Sequence, residues 1–263
     1  MKKRGFTLAE VLITLSIIGV LAALTAPALV TNSRNEANAA KLSVVVSNLE
    51  NAFQNAIIQE DANNLYGTSM WAEGAVSSIA SATKLSAFAG NLGRYMILSG
   101  FENSSNRYMG SIQFHQMTNT GGVNVTGTTQ LPSSQPCIAI KTKSGAIIYI
   151  ATFTPTVTET ARNNAIAASS SYYTKAAEVF IDVNGKNAPN TYGRDVFAFQ
   201  LGENGVLYPY GGKDVGRVSF NSANDTWDKA GQKHSCTNAD KGSENKGLGC
   251  TARVIAEGYK INY

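Results

Sequence analysis

The chain opens Met1-Lys-Lys-Arg-Gly5-Phe6-Thr-Leu-Ala-Glu10 and continues VLITLSIIGVLAALTAPALV to Val30. From Phe6 to Val30 there are 25 residues, and Glu10 is the only charged one. At about 1.5 Å per residue a helix of this length reaches roughly 37 Å, enough to cross a hydrocarbon core of about 30 Å. Lys2, Lys3 and Arg4 precede the run and hold its N-terminus on the cytoplasmic side. The ordinary reading of such a start is a cleaved secretory signal. This run is longer than the roughly 7–15 apolar residues of such a signal. It also lacks a clean small-x-small end, although Ala22-Ala23 and Ala26-Pro27-Ala28 come near. Above all it contains a carboxylate. A charge at the centre of a membrane helix costs roughly 2.5–3.5 kcal/mol, less near an end, and such charges usually have a partner.

Lys3-Arg4-Gly5 followed by Phe6-Thr7-Leu8-Ala9-Glu10 resembles the class III signal of type IV pilins and type II secretion pseudopilins. The resemblance covers about the first 30 residues. It implies a cut between Gly5 and Phe6 by a prepilin peptidase, N-methylation of Phe6, and a glutamate, Glu10, at the fifth position of the mature chain. It also implies a single-pass inner-membrane precursor with a cytoplasmic N-terminus and a periplasmic C-terminal domain. An assembly platform in that membrane then carries the subunit into a homo- or hetero-oligomeric filament. Pro27 sits where many type IV pilins carry a helix-disrupting proline. The cut leaves a positive amine on Phe6. The amine of an incoming subunit can pair with Glu10 of a neighbour, setting register in low dielectric. Alternatively Glu10 pairs with its own Phe6 amine or reaches the headgroups. Gly19 and Pro27 weaken the helix interior, Pro27 by removing one hydrogen bond and crowding the carbonyl of Ala23. The helix can then kink or melt on leaving lipid, unless both are simply tolerated membrane-helix residues.

The 263 residues allow this anchor and one sizeable domain. The net charge of +4 belongs largely to the leader. Without Met1 to Gly5, 19 basic residues face 18 acidic ones, a net +1. That is not the basic stripe of a nucleic-acid binder. Three cysteines, all beyond the apolar run, suit an oxidising compartment.

The expected fold is α+β and pilin-like: a long N-terminal helix packed on an antiparallel sheet. The units are a leader (1–5), a transmembrane and assembly helix (6–30), its amphipathic continuation (31–62) and a globular domain (63–263). In the continuation, Leu42, Val45, Val46, Leu49, Phe53, Ala56 and Ile57 recur at helical steps. Asn63-Asn64 and Gly67 end it. One or two short helices follow over 73–98. Residues 99–135, rich in Gly, Asn, Ser and Thr, read as a surface insertion with one strand at Ser111 to Met117. Cys137–Thr142 and Ala146–Phe153 form a hairpin about Lys143-Ser144-Gly145. A polar excursion over 154–173 is helical around Ala161 to Ala168. Ala177–Val183 is a strand, and Val196–Leu201 and Val206–Tyr208 form a second hairpin about Gly202 to Gly205. The tail from Cys250 is a short helix.

Cys236 and Cys250 bracket a polar loop, and a disulfide there would tie down a tail poor in core residues. Cys137 is then a free thiol, or it pairs with one of the other two. Asp182-Val-Asn184-Gly185 opens like a calcium loop, and Asp182, Asn184 and Asp195 are the candidate ligands. Lys186 and Arg194 intrude, no glutamate closes the loop at EF-hand spacing, and the other reading is a β-turn followed by a polar loop. His115 and His234 lack metal-ligand spacing, and no nucleophile motif occurs, so the expectation is a non-enzyme. Tyr172-Tyr173 and Tyr208-Pro-Tyr210 read as packing aromatics ahead of a binding surface. The function expected is a structural filament subunit. The alternative is a minor, tip-located binding module for adhesion, cargo or DNA, with 99–135 and 154–173 as recognition loops.

Overall fold

The computed structural model describes residues 7–74, 82–104, 114–117, 123–129, 137–151, 159–161, 163–164, 173–185, 187, 190–211, 236, 247 and 249–261. Its first element, α1, runs unbroken from Leu8 to Gln59 through Pro27, a length of 52 residues or roughly 78 Å. The helix ends a little before the asparagines nominated from sequence. Asp61 adopts φ 50°, its amide donates to Ile58 O, and Ala62 N donates to Ile57 O. These are the two hydrogen bonds of a Schellman close, made here with Asp in the left-handed position that Gly usually fills.

A 3-10 turn (Leu65–Gly67), α2 (Ser69–Gly74) and α3 (Ala82–Leu92) follow. The six-stranded antiparallel sheet comes next, in the order β1 (Leu98–Ser104), β4 (Cys137–Thr142), β5 (Ile147–Ala151), β6 (Lys175–Asp182), β7 (Val196–Gly202), β8 (Leu207–Pro209). A separate hairpin pairs β2 (Phe114–Met117) with β3 (Val123–Thr129), and α4 (Cys250–Ala256) closes the chain. The layout is the expected α+β one.

The sequence reading of 99–135 needs correction. Residues 98–104 are not insertion but the edge strand of the main sheet, paired with β4. The nominated strand at 111–117 is described at 114–117, with β3 as its partner. Of the excursion 154–173, the structure describes helical backbone at 159–161 and 163–164, and Tyr173 at its end. The rest of it lies outside the described residues.

The amphipathic half of α1 holds the sheet. Leu42, Leu49, Phe53 and Ala56 are fully buried against Ile138, Ile148, Val179, Ile181, Phe197 and Phe199. The β7–β8 turn is clamped to α1 by polar bonds. Leu207 N donates to Glu50 Oε1 (2.8 Å), and Gln54 Nε2 donates to Asn204 O (2.6 Å). Gly205 sits here with φ 78°, and a Cβ on it would lie 3.2 Å from that of Phe53. Only glycine fits this approach without strain. The opposite sheet face is buried too, by Tyr149, Phe180, Tyr192, Ala198 and Tyr210. Tyr173 stacks on Tyr208 with ring centroids 3.6 Å apart, so these tyrosines pack, as their sequence reading favoured. Tyr172 lies outside the described residues.

Candidate functional site

From Leu8 to Val30 every described side chain of the helix is exposed. Its large apolar side chains there are between 42% and 80% exposed. So much bare apolar surface in water is unfavourable, at roughly 25 cal/mol per Å², and marks a surface made for lipid or for other chains. This is the one helix long and apolar enough to span a bilayer among the described residues.

At its start Thr7 is the N-cap, and Glu10 completes a capping box. Glu10 N donates to Thr7 Oγ1 (3.3 Å), while Thr7 N and Thr7 Oγ1 each donate to Glu10 Oε2 (2.8 Å). The box satisfies amides that a helix start leaves orphaned. Both bonds to the carboxylate fall on Oε2. Among the described residues Oε1 has no partner, so a cation can still be met there. Thr7 was passed over in the sequence, although Thr7-x-x-Glu10 is the S/T-x-x-E pattern of such a box. Gly5 and Phe6 lie outside the described residues.

A Cβ on Gly19 would meet nothing within 4 Å, so its smallness serves no contact inside this chain. Pro27 leaves the helix intact, and Thr31 Oγ1 donates back to Pro27 O at 3.0 Å.

At the far end Cys236 and Cys250 form the expected disulfide. It anchors α4, whose Thr251 Oγ1 accepts from Ala198 N (3.0 Å) and whose Val254 enters the core. Of Cys137 the structure describes the backbone, in β4. His115 lies in β2, and His234 is outside the described residues.

The loop nominated for calcium does gather its residues. The register pairs Asp182 with Val196, and Val183 N donates to Asp195 O (2.9 Å), so the two aspartates meet. Both are almost fully buried. Asn184 N donates to Asp182 Oδ1 (3.2 Å), Asn184 Nδ2 donates to Asp195 Oδ2 (3.0 Å), and Thr191 N donates to Asp195 Oδ1. Burial, and then the neighbouring Asp195, push Asp182 up to about 8. Burial pushes Asp195 up to about 6, against the bonds from Thr191 and Asn184. Asp182 Oδ2, Gly185 O and Asn187 O also converge on the side-chain amide of Asn190, at 3.2, 3.2 and 2.9 Å. With its nitrogen inward, that amide has two hydrogens for three acceptors. With its oxygen inward, it would add a fourth oxygen to these three, an orientation that only a cation among them would favour. Asn184 Oδ1 is buried without a hydrogen-bond partner. Among the described residues no group of three or more His, Cys, Asp or Glu side chains forms. A cation here would therefore rest on two carboxylates supported by amide and carbonyl oxygens. That donor set suits calcium and not zinc. Lys186 is outside the described residues, and Arg194 lines a cavity along α1.

Residues 1–26 match the family model of the prokaryotic N-terminal methylation motif, the class III prepilin signal of type IV pilins and pseudopilins. No curated protein and no solved structure matches the chain.

Proposed function

We propose that this chain is a structural subunit of a type II secretion pseudopilus or a type IV pilus, cut between Gly5 and Phe6 and methylated on Phe6. The observation that carries the reading is the bare apolar half of α1 behind a methylation motif, on a helix whose other half is locked into a sheet. Packing of such helices removes apolar surface from water or lipid. The Phe6 amine of one subunit meets Glu10 of the next and fixes register. The precursor crosses the inner membrane once, with its folded domain on the periplasmic side, and needs a prepilin peptidase and an assembly platform as partners. Intact mass and N-terminal sequencing of the membrane-extracted protein test this reading. Loss of Met1 to Gly5 with one added methyl is the expected result. An intact Met1, or a cut near Ala28, would remove the cation Glu10 needs and overturn it.

The second reading, a minor subunit at the filament tip that binds a ligand, is favoured by the β2–β3 hairpin. It forms a sheet of its own within the segment nominated for recognition. Abundance separates the two, since a major subunit is copious and polymerises alone. We also propose that the loop from Asp182 to Asp195 holds calcium. The ion would neutralise two buried carboxylates, and Asn190 would turn its oxygen inward.

A further inference from the structure

Where α1 leaves its apolar run, the foot of the domain meets it and encloses a half-open cavity of about 1060 Å³. Its walls include Thr31, Asn32 and Glu36 from α1, and Arg194, Tyr259 and Lys260 from the domain. The domain side is a built wall. Tyr259 N and Lys260 N both donate to Val254 O (2.7 and 3.3 Å), closing α4. Asn35 Nδ2 donates to Ile261 O (3.2 Å), and Asn38 Nδ2 to Arg194 O (3.3 Å). The cavity's depth follows from the helix. Leu8 to Val30 spans about 35 Å, slightly more than the hydrocarbon core, so Thr31 is the first residue beyond it. The headgroup layer is about 5–8 Å thick, the rise from Thr31 to Glu36. The cavity therefore opens at headgroup level, with two cationic side chains and one carboxylate on its walls.

We infer that this cavity seats the headgroup of a membrane phospholipid of the phosphoethanolamine type. Arg194 and Lys260 meet the phosphate, with Asn32 and Thr31 as neutral donors. Glu36, exposed on α1, faces the ammonium. A guanidinium and an ammonium together match a phosphate, and an opposed carboxylate discriminates against an uncharged glycerol headgroup. The inference rests on the reading that Leu8 to Val30 lies in the bilayer, and it adds a specific lipid as partner. Such a lipid would brace the domain on the membrane before assembly.

The test is native mass spectrometry of the full-length protein, released from nanodiscs of mixed phosphatidylethanolamine and phosphatidylglycerol. One retained phosphatidylethanolamine is expected. Lys260→Gln should lower its occupancy about fivefold, as for one cation near a lipid surface, while Lys260→Arg retains it and Lys175→Gln, at the opposite end of β6 from Asp182, changes nothing. Glu36→Gln should erase the preference over phosphatidylglycerol. Equal retention of both lipids by the natural chain, or Lys260→Gln without effect, overturns the site. Displacement by soluble phosphoethanolamine at equal occupancy overturns the lipid as its source. Release of the protein from membranes by carbonate would instead overturn the anchor reading itself, so the two failures are distinguishable.

Discussion

Glu10 carries two tasks, and substitutions can part them. Its Oε2 caps α1 through Thr7, while in the proposed assembly its charge pairs with the Phe6 amine of another subunit. Glutamine also serves in a capping box, so Glu10→Gln keeps the cap and removes the charge. If the ion pair drives assembly, Glu10→Gln and Glu10→Ala should both weaken subunit association by about 100-fold or more, the scale of an orphaned buried charge. Thr7→Ala, which loses only the cap, should cost about 1 kcal/mol of helix stability and still yield filaments. Filament yield by electron microscopy reads this, and filaments from Glu10→Gln at the natural level would sink the ion pair. The aspartate pair gives the other prediction at this scale. Asp182 and Asp195 have native pKa values raised by burial, so the folded chain keeps protons that the unfolded chain has lost above about pH 4. In chelator, stability should therefore fall as pH rises from about 4 towards 8, and calcium should restore most of the loss. Thermal melts at pH 5 and 8, with calcium or with EDTA, measure it. Asp182→Asn should flatten the pH dependence in EDTA, and a steep dependence surviving in that variant would place its origin elsewhere.

The elements differ in how far their own residues announce them. The amphipathic half of α1 is legible because Leu42, Leu49 and Phe53 recur at helical spacing and all enter one core. The hairpins about Gly145 and Gly205 are legible because both turns require positive φ, and glycine supplies it. β1 was hidden. Leu98-Ser-Gly-Phe-Glu-Asn-Ser104 has neither alternation nor β-branched residues, and its register slips between Leu98 and Gly100. Pairing with β4 makes it a strand, and that contact is non-local. For the same reason sequence could nominate Asp182 and Asp195 but could not show that they meet, because the β6–β7 register brings them together. The Cys236–Cys250 bond was legible as a spacing, and its effect lies at the scale of α4. Its residues lie 14 apart, and closing such a loop in the unfolded chain contributes about 3 kcal/mol. The double substitution Cys236→Ser with Cys250→Ser should lower domain stability by about that amount, or roughly 6–12 °C in Tm. Denaturant melts of this variant and of the reduced natural chain should coincide, and an unchanged midpoint would mean that α4 is held by Val254 and Thr251 alone.

The whole molecule is one helix with two environments. Its C-terminal half is a core element, without which the inner face of the sheet would lie bare. Among the described side chains its N-terminal half has none buried from Leu8 to Val30, and so adds nothing through them to the stability of the domain. The first contacts with the domain come from Asn35, Asn38 and Ala39. Folding and assembly are thus separable along a single element, with the division near Thr31. A chain beginning at Thr31 should fold as a soluble monomer, with its Cys236–Cys250 bond formed and its denaturant midpoint within about 0.5 kcal/mol of the detergent-held full chain. That margin is the one expected for changes away from buried features. Size-exclusion chromatography and chemical melts measure both quantities. A start at Leu42 should behave otherwise, because it removes the Asn35 and Asn38 bonds and the buried Ala39, and so loosens the foot of the domain. If the chain from Thr31 instead self-associates through its folded domain, the domain carries assembly contacts of its own, and the bare half of α1 is not the sole driving surface.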